Sequence, residues 1–324
     1  MRIAPLDPAD IRDPIAVITG GWSREKDRSW LSGNTVAEAL SEMGVKTLVL
    51  DLADNRDTLL EGLAEASKAF LAIAGRGAED GRLQGLLETL DIPYTGSGVL
   101  ASAIGMNKIT AKTVVSAAGV RVPRGTRIDP TATAEDESLR VSRMLELPVM
   151  VKPVSEGGSI GLQVAPTVDS LAQALIDVAD GELMAEAFIP GRAVSVGVLE
   201  DQLGVVHVLP ALEARTPNGI YSYAAKRGDA ECDYHCPARV SPDTLADLQR
   251  QAAAAHCALY CHSYSRHDFV VGDDGRAWWL EINTLPGLSR AGNLARMALA
   301  DGIPYELLLT HILRGADIDR RTRP

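Results

Sequence analysis

Apolar positions along this chain change rhythm repeatedly, and each change predicts an element. Ile15-Ala-Val-Ile-Thr19 is an unbroken apolar run closed by Gly20-Gly21, the pattern of a buried strand. After Ser32-Gly33-Asn34, the residues Val36, Ala37, Ala39 and Leu40 recur at helical spacing. Lys46–Asp51 and Ala69–Ala74 read as further strands, with a helix over about 57–67 between them. Residues 1–14 read as a short tail. The β-α-β-α-β alternation implies a parallel sheet with helices on both faces.

The pattern continues with a helix starting at Lys108 and ending near Gly119, and another over about 134–146. Leu147–Lys152 is an apolar strand running into the glycine-rich turn Glu156-Gly157-Gly158-Ser159-Ile160-Gly161. Val194–Leu199 and Val205–Leu209 read as paired strands around a polar turn. An alanine-rich helix over about 242–263 leads to two apolar strands separated by Gly272-Asp-Asp-Gly275, which is hairpin-turn chemistry. Helices over about 292–300 and 303–314 close the chain.

The late hairpin carries the first candidate chemistry. Asp268 lies on one strand, and Glu281 and Asn283 share a face of the other because strand side chains alternate with period two. Two carboxylates and an amide oxygen are hard ligands of the kind Mg²⁺ takes, completed by water and nucleotide phosphate. An acidic hairpin with a capped turn is the plainer reading, and Arg266 together with Pro286-Gly287 points to the metal–nucleotide site. In the glycine-rich turn, bare backbone N–H groups approach phosphate oxygens closely and Lys152 supplies a point charge. A flexible hairpin would look the same. Neither G-x-G-x-x-G nor G-x-x-x-x-G-K-[ST] occurs.

Composition narrows the classes. A formal charge of −11 argues against nucleic acid as a principal partner, since phosphate contacts need Lys and Arg surfaces. No apolar run reaches membrane-span length, and Asp7, Asp10 and Asp13 do not suit a signal peptide, so cytoplasmic residence is expected. Cys232, Cys236, Cys257 and Cys261 interleave with His235, His256 and His262, which raises a zinc site. Cys257 and Cys261 lie four apart in the alanine-rich run, a spacing that fits helix packing better than a zinc knuckle.

Three stretches together carry a resemblance: TGSGVLASAIGMNK (Thr95–Lys108), VKPVSEGGSIG (Val151–Gly161) and EINTLPG (Glu281–Gly287). With Gly20-Gly-x-Ser23-x-Glu25 ahead of them, they resemble the D-alanine–D-alanine ligases of the ATP-grasp superfamily over roughly residues 15–314. The resemblance implies an α/β, ATP-grasp fold of three α/β domains, 1–107, 108–193 and 194–324, with nucleotide between the last two. It implies ATP and two Mg²⁺ ions, with Mn²⁺ as a substitute, held by Asp268, Glu281 and Asn283. Lys108, Lys152, Glu156, Gly157, Gly158, Ser159 and Gly161 would hold phosphate. Glu186, Phe188 and Ile189 match the hinge that reads adenine, and Lys226 and Tyr223 match a mobile lid. Glu25 matches the glutamate that holds the amino group of the first D-alanine. Arg266 and the backbone N–H of Gly287 match the oxyanion site. The family also suggests a homodimer.

The implied chemistry joins two small amino acids: a carboxylate attacks the γ-phosphate, an amine attacks the acyl phosphate, and ADP and phosphate leave. Five positions depart from the family pattern. Ala193 stands where a ribose-contacting glutamate is usual. Ala74 replaces a histidine, Gly158 a serine, Arg227 a lid aromatic, and Gly292-Asn293 a carboxylate-binding serine. Four departures assigned to one acceptor pocket predict an acceptor other than D-alanine, with specialised peptide or amide synthesis as the setting. A degenerate nucleotide-binding protein is the remaining alternative.

Overall fold

A computed structural model describes residues 1, 3–12, 14–159, 161–178, 181–217, 221 and 231–317. Three sheets carry the chain. In the first, β1 (Ile15–Thr19) lies between β2 (Thr47–Asp51) and β3 (Lys68–Leu71), all parallel. Every residue of β1 is buried, as its unbroken apolar run requires. The order β2-β1-β3 makes the chain leave β1 towards one side and return on the other. The C-terminal ends of β1 and β3 therefore flank a switch point, where such sheets leave a crevice for ligands. The loops after Thr19 and after Leu71, which carry Glu25 and Ala74, emerge there.

The second sheet is antiparallel, in the order β4 (Gly125–Arg127), β7 (Leu183–Ala187), β5 (Val149–Pro153), β6 (Gln163–Ala165). The helices Ala134–Met144 and Val168–Asp177 pack together over it around Val141, Leu171 and Val149. The third sheet runs β11 (Asp233–His235), β10 (Leu212–Arg215), β8 (Gly191–Glu200), β12 (Tyr264–Gly272), β13 (Ala277–Asn283), with β9 (Val206–Val208) hairpinned onto β8. Its hairpin β12–β13 sets Asp268 opposite Glu281 and Arg266 opposite Asn283, so the four expected site residues share one face. A bulge between Asp268 and Phe269 ends that register just past the site.

The final helices, Asn293–Ala300 and Tyr305–Arg314, bury Leu294, Met297, Leu308 and Ile312 in one core with β1 and β3. The C-terminal part thereby clamps onto the first sheet, and Arg290 adds ion pairs to Glu42 at 2.6 Å and Glu306 at 2.7 Å.

Several expected boundaries shift. The first helix starts at Lys26 rather than near Ser32, because its first turn is polar and reads as loop. The third strand ends at Leu71, although Ala72 and Ile73 stay buried beyond it. The alanine-rich helix stops at Ala258, where Tyr260 adopts a left-handed φ of 55° and ends it.

Candidate active site

A cleft of about 130 Å³ opens between the second and third sheets. Its apolar walls come from Met150, Phe188, Ile189, Val194, Phe269 and Leu280, and its polar groups are Lys108, Lys152, Glu156, Ser159, Glu186, Asp268 and Glu281. An apolar slot flanked by lysines suits a flat base followed by a polyphosphate. Ala193 also lines it, so the missing glutamate leaves a methyl in the wall.

Glu186, on β7, is 3 % exposed. Lys152, beside it on β5, donates to its Oε1. Lys112, on the helix Lys108–Ala117, stands 3.0 Å from Oε2. Burial works against the charge of Glu186, but the two lysines hold its carboxyl below the usual range. Burial likewise pushes the Lys112 ammonium down to about 8, against the pull of Glu186. The trio carries one net positive charge under the apolar slot.

At the other end, Lys108 Nζ donates to the Glu156 carbonyl at 2.5 Å and pairs with Glu281 at 3.2 Å. Arg266 grips Asp268 through two bonds of 2.9 Å, Nε to Oδ1 and Nη2 to Oδ2. Ser195 Oγ donates to Oδ1 at 2.7 Å and Asn283 Nδ2 to Oδ2 at 3.3 Å. Burial opposes the Arg266 charge, and Asp268 more than offsets it, raising the guanidinium pKa. The donor set of Asp268, Glu281 and the Asn283 amide fits Mg²⁺ in ligand hardness. Both carboxylates are neutralised by side-chain cations, as an acidic pair in a low-dielectric cleft requires. Among the described residues, no three His, Cys, Asp or Glu side chains assemble a metal site, the four free cysteines included.

A second, smaller pocket adjoins the switch point. Glu25, Arg28, Ala74, Gly158, Arg266, Asn283 and Gly287 all line it. Gly157 passes so close to Glu25 that a Cβ there would overlap Oε2. Leu288 N–H donates to Ser32 Oγ at 3.1 Å, fixing the loop that carries Gly287 against the first helix. Glu79 bridges the same two parts: it accepts from Gly75 N–H at 2.6 Å and from Leu285 N–H at 3.3 Å. Burial, then the neighbouring Glu25, raise the Glu79 carboxyl to about 8.

The structure thus gathers most of the expected residues but sorts them differently. Gly158, at φ 66°, turns to the Glu25 pocket, and Gly157 lies between the pocket and the cleft. Gly161 reaches neither; it packs against Pro153 and Val178. Gly292 caps the helix Asn293–Ala300, and Asn293 donates to Tyr221 Oη at 3.2 Å, which lines the larger cleft. Tyr223, Lys226 and Arg227 lie outside the described residues. Ser195, Glu79, Arg28 and the second lysine on Glu186 were not expected at the site. Ser195 faces Asp268 across the β8–β12 pairing, a cross-strand relation that has no local sequence signal.

The model of the D-ala D-ala ligase C-terminus matches residues 114–314. The chain belongs to the D-alanine–D-alanine ligase family. It is 39% identical over 310 residues to the D-alanine–D-alanine ligase of Citrifermentans bemidjiense, covering 94% of this chain and 96% of that one. Identity to the ligase of Geobacter sulfurreducens is 36% over 316 residues, 94% of each chain. The crystal structure of the Bacillus anthracis ligase complexed with ATP superposes with a TM-score of 0.79 at 29% identity, covering 93% and 96% of the two chains. A D-Ala:D-Ser ligase from Enterococcus faecalis, 24% identical, shares the fold at a TM-score of 0.79 over 93% of this chain and 98% of that one. The fold is ATP-grasp, and this family member is an ATP-dependent ligase that forms a C–N bond.

Proposed function

We propose that this ligase joins two small amino acids, D-alanine among them, through an acyl phosphate. The observation that carries the reading is the shared wall between the two pockets. Arg266, Asn283 and Gly287 line the Glu25 pocket, while Asp268 and Glu281, on the same strands, line the nucleotide cleft. A carboxylate in the small pocket therefore faces the end of a polyphosphate in the large one.

In this reading Glu25 receives the donor's ammonium, and Arg266 with the Gly287 N–H stabilises the oxyanion that forms as the amine attacks. Lys108 and Lys152 hold phosphate. Asp268, Glu281 and Asn283 would hold Mg²⁺, which would supply charge neutralisation for phosphoryl transfer. Glu186 offers its carboxylate to the adenine amine.

The expectation of a changed acceptor loses ground on two counts. The relatives at 36–39% identity are D-alanine–D-alanine ligases, and two of the four departures, Ala74 and Gly158, line the Glu25 pocket. ADP release with ATP, Mg²⁺ and D-alanine alone, with products read by mass, tests the proposal. Dipeptide from D-alanine supports it. No ADP from D-alanine or from a panel of amino acids would overturn it.

A further inference from the structure

Gly287 carries the N–H proposed for the oxyanion, yet nothing in the residue itself aims that bond. A Cβ there would meet Ser32 Oγ at 3.6 Å and Arg28 Nη2 at 3.9 Å, which is ordinary contact. Crowding therefore does not hold this backbone in place, and a glycine's dihedrals are the loosest a chain offers. An oxyanion donor must already point at its target when charge develops, because reorganising at that moment forfeits the gain. Something outside Gly287 has to set the direction.

Side chains from other parts of the chain do so. Ahead of Gly287, the Leu285 N–H donates to Glu79 Oε1. Directly after it, the Leu288 N–H donates to Ser32 Oγ at 3.1 Å, tying the Gly287–Leu288 peptide to the helix Lys26–Glu42. One peptide further, Tyr305 Oη donates to the Leu288 carbonyl at 2.5 Å, tying that peptide to the helix Tyr305–Arg314. Arg290 keeps the two helices in step. It pairs with Glu42 at the end of the first and Glu306 at the start of the second, and its guanidinium lies 4.9 Å from the Tyr305 ring centre. Leu288 is 1% exposed, so a carbonyl released by Tyr305 has no bulk water to turn to. The loop would have to shift instead.

We propose that Tyr305 is a positioning residue for amide-bond formation, aiming the Gly287 N–H through the Leu288 carbonyl, with Ser32 as its counterpart; this rests on the ligase reading above. Tyr305 lines neither pocket, so it acts only through the loop. Its effect is confined to one step. Transfer of the γ-phosphoryl group to the donor carboxylate breaks the bond to the β,γ-bridging oxygen and needs no oxyanion site. Attack of the amine on the acyl carbon creates the oxyanion, whose collapse expels phosphate. A misaimed Gly287 N–H slows that second step and leaves the first intact.

Positional isotope exchange separates the two steps. The full-length protein is given Mg²⁺, D-alanine and ATP carrying heavy oxygen in the β,γ-bridge. Return of the acyl phosphate to ATP scrambles the label into the non-bridging β-positions, while ADP release measures net turnover. Tyr305→Phe deletes only the hydroxyl and keeps the ring for Arg290. It is expected to lower kcat about tenfold, hold the ATP KM within about twofold, and raise the ratio of scrambling to turnover by about tenfold. Ser32→Ala is expected to move the ratio in the same direction. An ATP-induced thermal shift equal to that of wild type shows that each variant is folded. A ratio unmoved by Tyr305→Phe, whether or not kcat falls, would overturn the inference and leave the ligase reading standing, since a merely structural loss slows both steps alike. No ADP and no scrambling from wild type, with D-alanine or the amino-acid panel, would overturn both.

Discussion

The ammonium of Lys108 stands 3.2 Å from Oε2 of Glu281 across the cleft. The lysine proposed to meet phosphate and the carboxylate proposed to meet Mg²⁺ thus neutralise each other. On the proposed reading, phosphate would draw Lys108 away and Mg²⁺ would draw Glu281 away, so each event would prepare the other. Coupling of this kind is reciprocal.

Glu281→Gln tests that coupling, because it deletes a proposed metal ligand and also removes the competitor for Lys108. ADP without metal is expected to bind the variant more tightly than wild type. The gain in ADP affinity on adding Mg²⁺ is expected to shrink by about tenfold. Calorimetry with and without chelator measures both. An unchanged Mg²⁺ gain would remove Glu281 from the metal site.

Gly157 and Gly161 belong to one glycine-rich turn but should fail in different ways. Gly157→Ala puts a methyl onto Glu25 Oε2 without requiring a left-handed backbone, so the displaced group is the carboxylate proposed to hold the donor's ammonium. The donor KM should rise by about tenfold to a hundredfold while the ATP KM holds. Gly161→Ala, at φ 73° and against Pro153 and Val178, should instead cost stability of about 1–3 kcal/mol. Steady-state kinetics and thermal melts on the two variants separate these outcomes.

The hairpin and the shared face of its carboxylates and amide were legible because each signal was local. Turn glycines, alternating carboxylate and amide, and two apolar runs placed Asp268, Glu281 and Asn283 before any contact was known. Lys112 was visible only as a helix residue, since its partner Glu186 is 74 positions away and arrives through the β5–β7 pairing. The split of the glycine-rich turn between two pockets was equally hidden. Gly157, Gly158 and Gly161 look alike in sequence, and what separates them is which neighbour each backbone passes: Glu25, the donor pocket, or Pro153.

Glu79 gives the site a pH dependence whose sign can be worked out. Its carboxyl rises to about 8, chiefly through burial and then through Glu25. An unfolded glutamate titrates near 4.5. Between those values the folded chain holds a proton that the unfolded chain has lost, so stability falls as pH rises. The contribution is fully present below the unfolded pKa and is lost as pH passes through about 8. Over pH 6–8 the loss is roughly 2 kcal/mol, a few degrees of melting midpoint at this chain length. Glu79→Gln keeps one acceptor oxygen, enough for one of the Gly75 and Leu285 N–H groups, and cannot titrate. Its midpoint should therefore fall less than that of wild type over the same range, by that difference. Parallel melting curves for the two proteins would require Glu79 to be ionised throughout, beside Glu25, with the two N–H bonds alone outweighing burial.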